Sequence, residues 1–434
     1  MTAQGVGKVV DLPNGCVCAE GMAPQFDYHG EVEVESAQID HVLDRVVPLN
    51  GLNLGPYEFN FESHADYFLD LSSLHMHAQV QVVTEAGEAL TDADNDKVWP
   101  ADNLLNSLWS TVETKINNVI PHPETSSKYA FRAQIEYLLS VEEAKKSCYI
   151  TSGFGESEET RKTSFRQKQK KPFNLCGPIA LDILRSDQHL APGNKLAIHF
   201  HRAEHDFSLI TAENVDTKYK ILVKDICVYG NRIRLRPDLT AKILSSNGGV
   251  QHHLTTHSEV KDYPLPQGIN KWNIKLYAGG LLPYQIVVGF VATTAFNGAY
   301  GQDPFKFEPF GLNEICLRLN GTRLPQDPLR PDFANARLAR TYLHLYQNTG
   351  KFRVNGGNSI TYDAFQRNAF LVPFDLTPDQ CNNFHRHAAR DGSMDMELGW
   401  AAATEQPLTV VVLCIFNQVL QLQGETVPPI FSIY

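Results

Sequence analysis

The sequence predicts an all-β chain: a double jelly roll of two tandem eight-stranded modules with short helical insertions. Three observations lead there. Short runs with period-two apolar alternation dominate from residue 56 onward, helical periodicity is confined to three stretches, and the second half of the chain repeats the order of features of the first. Alternation over four to eight residues, bounded by Gly, Pro, Asn and Asp, marks half-buried antiparallel strands.

In chain order, residues 1–46 read as a Gly- and Pro-punctuated arm with one alternating run, "EVEVE" at 31–35, expected as an edge strand. A first jelly roll is expected over 47–236, with strands at "PYEFNF", "HMHAQVQVV", "KLAIHFHR" and "YKILVKDICVYG". A second is expected over 237–434, with strands at "KWNIKLYAGG", "YQIVVGFVATTAF", "EICLRLNG", "MDMELGW" and "LTVVVLCIF". Helices are expected at 101–119, 126–144 and 377–389, each beginning beside a capping residue type: Asp102, Ser126 or Thr377. The stretch 153–171, acidic first and then basic, has almost no apolar residues and reads as a mobile charged loop.

The repeat is visible in both halves. "GPIALDILRSDQHLAPGNKLAIHF" followed by "YKILVKDICVYG" matches "LVPFDLTPD", "DGSMDMELGW" and "LTVVVLCIFNQV". Each half has an apolar strand with an acid (Asp182, Asp375), a Gly-containing turn (Gly193, Gly392), an alternating strand and a strongly apolar last strand. About 190 residues per module exceeds an immunoglobulin-type sandwich and suits a jelly roll with long loops.

Bulk properties narrow the function. At 434 residues the chain needs more than one core, and 43% hydrophobic with 20% charged residues is a globular composition. A net charge of -11 excludes a surface built to coat nucleic acid, so any DNA contact has to be local. The basic residues of the 153–171 stretch, Arg161, Lys162, Arg166, Lys168, Lys170 and Lys171, are the candidate DNA-facing group. Eight cysteines are scattered, with only Cys16 and Cys18 close together, a spacing that suits neither a zinc knuckle nor a short disulfide. The N-terminal stretch lacks an apolar h-region and no window approaches the roughly 18 apolar residues of a span, so neither a signal peptide nor a membrane span is expected. The sequon Asn320-Gly321-Thr322 reads as a hairpin turn.

"HFHRAEH" at 199–205 is the one dense group of potential metal ligands. His199 and His201, at i and i+2, project from one strand face and could chelate a metal as in cupin-type jelly-roll enzymes. The spacing argues against it: Glu204 follows too soon, and no "PxG…H" half comes after. Leu196, Ile198 and Phe200 alternate with the imidazoles, which puts His199 and His201 on the polar face, and aligning the duplicate "MDMELGW" sets His199 against Glu397. "HMH" at 75–77, "QHHLTTH" at 251–257 and "FHRH" at 384–387 make paired histidines a matter of composition rather than of one site. Cys381 with His385 could suggest a thiol nucleophile, but this spacing is a common accident. No GxSxG, P-loop, GxGxxG or HExxH motif occurs. The reading is therefore a non-enzyme without cofactors, with a cupin-like metal enzyme or a penton-like receptor-binding jelly roll as alternatives.

Two runs carry a family resemblance: "YQIVVGFVATTAFNGAYGQDPFKFEPFGLNEICLRLNGTRLP" at 284–325 and "GNSITYDAFQRNAFLVPFDLTPDQ" at 357–380. With "VWPADNLLNSLWSTVETKIN" and "YAFRAQIEYLLS" upstream, the chain from about residue 47 resembles the hexon-like major capsid proteins of Polinton/Maverick elements and adintoviruses. "QDPF" stands where that family more often has "NPF". The resemblance implies a double jelly roll and a homotrimer of pseudo-hexagonal outline in an icosahedral virion capsid around double-stranded DNA. It implies neighbouring capsomers and penton or minor capsid proteins as partners, and synthesis in the host cytoplasm with assembly in the nucleus. The aromatic segment "FNGAYGQDPFKFEPFG" and "PQDPLRPDFANARLARTYLHLYQ" are candidate contact loops between copies, with packing within the chain as the alternative.

Overall fold

The computed structural model describes residues 36–434 apart from 53–55, 121–127, 142–145, 156, 213–214, 216, 353–356, 359, 379–386, 425–426 and 434. Nine strands form the first module: β1 (Gln38–Val46), β2 (Tyr57–Phe61), β3 (Tyr67–Thr84), β4 (Val98–Pro100), β5 (Trp109–Ile116), β6 (Phe173–Pro178), β7 (Leu196–Arg202), β8 (Leu209–Thr211) and β9 (Tyr219–Leu235). The second has β10 (Gln251–Leu265), β11 (Lys271–Tyr277), β12 (Gln285–Ala292), β13 (Leu312–Leu319), β14 (Thr322–Leu329), β15 (Leu371–Asp375), β16 (Met394–Trp400), β17 (Leu408–Gln423) and β18 (Val427–Ile433). A helix at Pro237–Ser245, with proline at its start, joins them.

The duplication is one of topology. The larger sheets run β1-β9-β3-β6 and β10-β17-β12-β15, and the smaller ones β2-β7-β5 and β11-β16-β13-β14. Each strand of the first series has its counterpart at the same place in the second, and the ladders are antiparallel throughout. Each module is therefore a jelly roll, two facing antiparallel sheets with long crossovers. β18 adds to β17, and β4 with β8 makes a small two-stranded sheet.

Alternation explains the inner faces. In β7, Leu196, Ile198 and Phe200 are buried while Ala197, His199 and His201 are half-exposed, and β16 buries Met394, Met396 and Leu398 in the same rhythm. Burying a side chain of this size is worth about 1.5–3 kcal/mol. From Leu408 to Phe416, β17 is buried on both faces, and the helix Ala339–Asn348 packs on β15 at the far edge of the same sheet. A continuous apolar cluster runs through both modules.

Some local expectations change. The stretch 101–119 is a short helical turn, Leu104–Ser107, followed by β5 rather than one long helix. Leu105, Leu108, Trp109, Val112 and Ile116 do repeat at helical spacing, but β-branched Thr111, Val112, Thr114 and Ile116 favour a strand, and β7 supplies the partner. The next helix covers Tyr129–Ser140, inside the expected 126–144. Most of the helix expected at 377–389 lies outside the described residues, as does "EVEVE"; the edge strand is the adjacent β1.

Residues 158–168 within the expected charged loop are helical. Ser157 caps the helix by accepting from the Thr160 N–H at 3.2 Å, Glu158 and Glu159 occupy the first turn, and Arg166 and Lys168 the last. The acidic-then-basic order is thus the charge order that a helix dipole favours. Phe165 is buried and meets Phe173 edge-on at 6.1 Å, which anchors the helix. The Asn320-Gly321 pair does form the two-residue turn between β13 and β14; both residues take positive φ, 48° and 84°, as a type I′ hairpin requires.

Candidate functional site

The three imidazoles of "HFHRAEH" do not converge. His199 sits mid-strand between Glu58 on β2 and Glu113 on β5, with its Nε2 3.7 Å from the Glu58 carboxylate. Burial, and then the Lys115 charge, hold its imidazole below the ordinary value against the pull of the two glutamates. His201 lies opposite Thr111. His205 begins a helical turn, and its Nδ1 accepts from the Ile221 N–H of β9 at 3.3 Å, a structural bond. Among the described residues no group of three His, Cys, Asp or Glu side chains is placed to hold a metal ion.

The duplicate strand has inverted chemistry. Glu397, at the position of His199, takes hydrogen bonds from Arg318, Arg323 and the Cys316 thiol. Burial pushes the Glu397 carboxyl up, but these three partners outweigh it and hold it below the ordinary range. Burial and the same carboxylate push the Cys316 thiol up to about 11. The described cysteines 148, 176, 227, 316 and 414 are all free thiols.

The basic run is largely neutralised within the chain. Arg161 is half-buried and pairs with Asp303 at 2.8 Å and Asp102 at 3.6 Å. Lys162 pairs with Glu158 and lies 4.0 Å over the Trp99 ring, Arg166 pairs with Asp96, and Lys170 pairs with Asp92 at 2.7 Å. Lys168 and Lys171 are exposed and have no ion-pair partner among the described residues. Periodicity alone could not reveal these pairs, because each acid is remote in sequence except Glu158.

The most elaborate polar arrangement is the joint between the modules. β10 is an edge strand of the second module's larger sheet, and an edge leaves backbone groups in need of partners. The first module supplies them. Asp182 accepts from the Ser258 N–H at 2.8 Å, the Ser258 hydroxyl at 2.9 Å and the Thr256 hydroxyl at 2.8 Å, and Gln188 accepts from the Leu254 N–H at 3.1 Å. Behind Asp182 stands Arg132, 2.9 Å away, which also pairs with Glu136; Arg185 pairs with Glu136 from the other side. Burial pushes the Asp182 carboxyl up, but Arg132, Thr256, Arg185 and the Ser258 N–H together hold it below the ordinary range. Lys128 with Asp262 extends the contact.

A second contact is aromatic. Phe131 stacks on Phe296 at 4.9 Å and meets Phe207 and Phe305 edge-on, while the Tyr300 hydroxyl donates to the Tyr219 carbonyl at 2.8 Å. With the Arg161–Asp303 pair, this places much of "FNGAYGQDPFKFEPFG" against the first module of the same chain. A sequence signal for the joint did exist: Arg132 and Glu136 stand four apart on a helix whose other residues, Tyr129 to Ile135, are buried.

No family model matches the chain. An uncharacterized protein of Caenorhabditis elegans is 23% identical over 401 residues, covering 87% of this chain and 94% of that protein. Among solved structures, a chain of the Sputnik virophage matches with a TM-score of 0.60 at 11% identity, covering 100% of this chain and 95% of its own. The Faustovirus major capsid protein matches at 0.57 and 11%, covering 92% of each chain. The mavirus major capsid protein matches at 0.53 and 9%, covering 100% of this chain and 97% of that one. The chain has the double jelly-roll fold. The likeness spans both modules, so it belongs to the whole arrangement and not to one barrel.

Proposed function

We propose that this chain is a major capsid protein of a Polinton/Maverick-type or related double-stranded DNA virus. Three copies would form a capsomer, and capsomers would tile an icosahedral shell. The observation that carries this reading is the fusion of two jelly rolls, whose seven strands in β1-β9-β3-β6 and β2-β7-β5 recur in the same order in the second module, into one body with a continuous core. Two barrels per chain in a three-fold assembly give six similar barrels around one axis, an outline that packs a hexagonal lattice. The full-length likeness to viral capsid structures supports the same reading. Partners on this reading are two further copies, neighbouring capsomers, penton or minor capsid proteins, and packaged DNA at most through Lys168 and Lys171.

Light scattering with negative-stain microscopy tests it. The expected result is a stable trimer of about 146 kDa, three times the 48.6 kDa chain, with a six-lobed outline. A protein that stays monomeric at every concentration and forms no shells would overturn it.

A further inference from the structure

The joint between the modules contains a second element besides the Asp182 network. Gln251, His253, Thr255 and His257 alternate along β10 on one face, and this face meets the first module: Asn194 donates to the Gln251 side chain at 3.4 Å. Thr255 and His257 line a cavity of about 50 Å³ with Gln418 and Leu420 of β17 and Phe431 of β18. Its opposite wall is Thr114, Ile116, Arg132, Leu181, Asp182 and Ile183 of the first module. Leu420 is the cross-strand partner of His253. His253 is 2% exposed, and its Nδ1 has no hydrogen-bond partner among the described residues.

The charges around this face are already committed. On β10 itself, Glu259 lies 3.4 Å from the His257 ring and also pairs with Lys261. The residues of β17 and β18 at the cavity are uncharged. Across the joint, Asp182 and Glu136 are held by Arg132 and Arg185. Among the described residues that line the cavity, no carboxylate is free to receive a His253 cation, and the charges on the opposing wall are Asp182 and the Arg132 guanidinium that holds it.

We propose that the joint is acid-sensitive: uptake of a proton at His253 loosens β10 and β17 from the first module, so mild acid separates the modules before either jelly roll unfolds. An opened joint lets water reach the imidazole, which then binds a proton with ordinary affinity, whereas the closed joint resists it. Burial alone holds the closed-state value at about 4, against 6.5 for the free side chain. The closed joint thus keeps its full strength above pH 6.5 and weakens steadily as pH falls toward 4. At pH 5 the difference amounts to about a 30-fold shift toward the open state.

Hydrogen exchange of the full chain at pH 7.5 and pH 5, with exchange times scaled for the intrinsic rate, tests this. The expected result is a protection loss of about 30-fold at pH 5 in Gln251–Leu265 and residues 179–190. H253L, or H253Q should the first not fold, should remove most of it. Three results would overturn the proposal: unchanged protection of β10 in the wild-type protein, a loss confined to the helix Ala339–Asn348 around His344, a second imidazole that desolvation holds at about 4, or a loss in β10 that persists in the His253 variant.

Discussion

Replacing Asp182 by alanine removes the carboxylate on which the polar half of the joint converges. Four interactions disappear: the Arg132 ion pair at 2.9 Å and the bonds from the Ser258 N–H, the Ser258 hydroxyl and the Thr256 hydroxyl. Arg132, whose side chain is 4% exposed, keeps Glu136 but loses its second anion. Breaking a buried pair in this way costs about 3–5 kcal/mol, and stranding the Ser258 N–H belongs within that figure rather than on top of it. The adjacent cavity of about 50 Å³ admits water, which favours the lower end. D182N keeps an acceptor for Ser258 and loses only the charge, so about 1–3 kcal/mol is expected. The lowered carboxyl pKa adds a pH signature. Its contribution is complete above the ordinary aspartate value and is lost only as pH falls through the lower folded-state value, so D182A should weaken the protein equally at pH 7.5 and pH 5. Urea unfolding of the full chain at both pH values, with the double variant R132M/D182A to measure coupling, is the assay. A D182A loss below about 0.5 kcal/mol, the range of ordinary surface substitutions, would refute the reasoning.

Two further outcomes follow from the same geometry. F131A removes the ring that joins Phe207 to Phe296 and Phe305 across the joint, and should cost about 3–5 kcal/mol in the same unfolding assay, with β12 and the 295–307 segment losing exchange protection first. K168Q/K171Q should leave stability within about 0.5 kcal/mol, and because these are the two unpaired cations of the basic run, any DNA affinity that run confers should have a log–log salt slope no steeper than about -2.

The inward-facing pattern of the chain was legible because burial imposes a period that a sequence can display. "KLAIHFHR" and "MDMELGW" became β7 and β16 with their apolar residues on the expected face, and the Asn-Gly pair became the expected turn. What stayed hidden depends on distant partners. β10 lacks a clean apolar alternation because much of what it touches belongs to the other module, so "QHHLTTHSEV" looked like histidine-rich composition rather than a strand. The stretch 153–171 looked like a solvated loop for a related reason. Its cations Arg161, Arg166 and Lys170 are neutralised by Asp102, Asp303, Asp96 and Asp92, and two buried aromatics, Phe154 and Phe165, anchor it. A stricter reading of Ser157, Glu158, Glu159 and the basic last turn would have found the helix.

The two modules agree inside and differ outside, and this says where the chain does its work. Matched positions on the inner faces keep the same kind of residue, while the matched outer pair His199 and Glu397 has diverged. Asp182 and Asp375, expected on corresponding strands, do not correspond, since Asp182 opens a short 3-10 turn beyond β6 and Asp375 is buried at the end of β15. Asp375 caps its own turn, accepting from the Thr377 N–H and hydroxyl, whereas Asp182 holds the neighbouring module. An edge strand such as β10 is a liability when left open, and a chain that closes it with its own first module gains a body whose two barrels have one fixed orientation. That fixed orientation is what a lattice of identical subunits requires, since a floppy pair could meet its neighbours in many ways. Specificity in the proposed assembly would then begin inside the chain, at the joint, before any contact between copies is made.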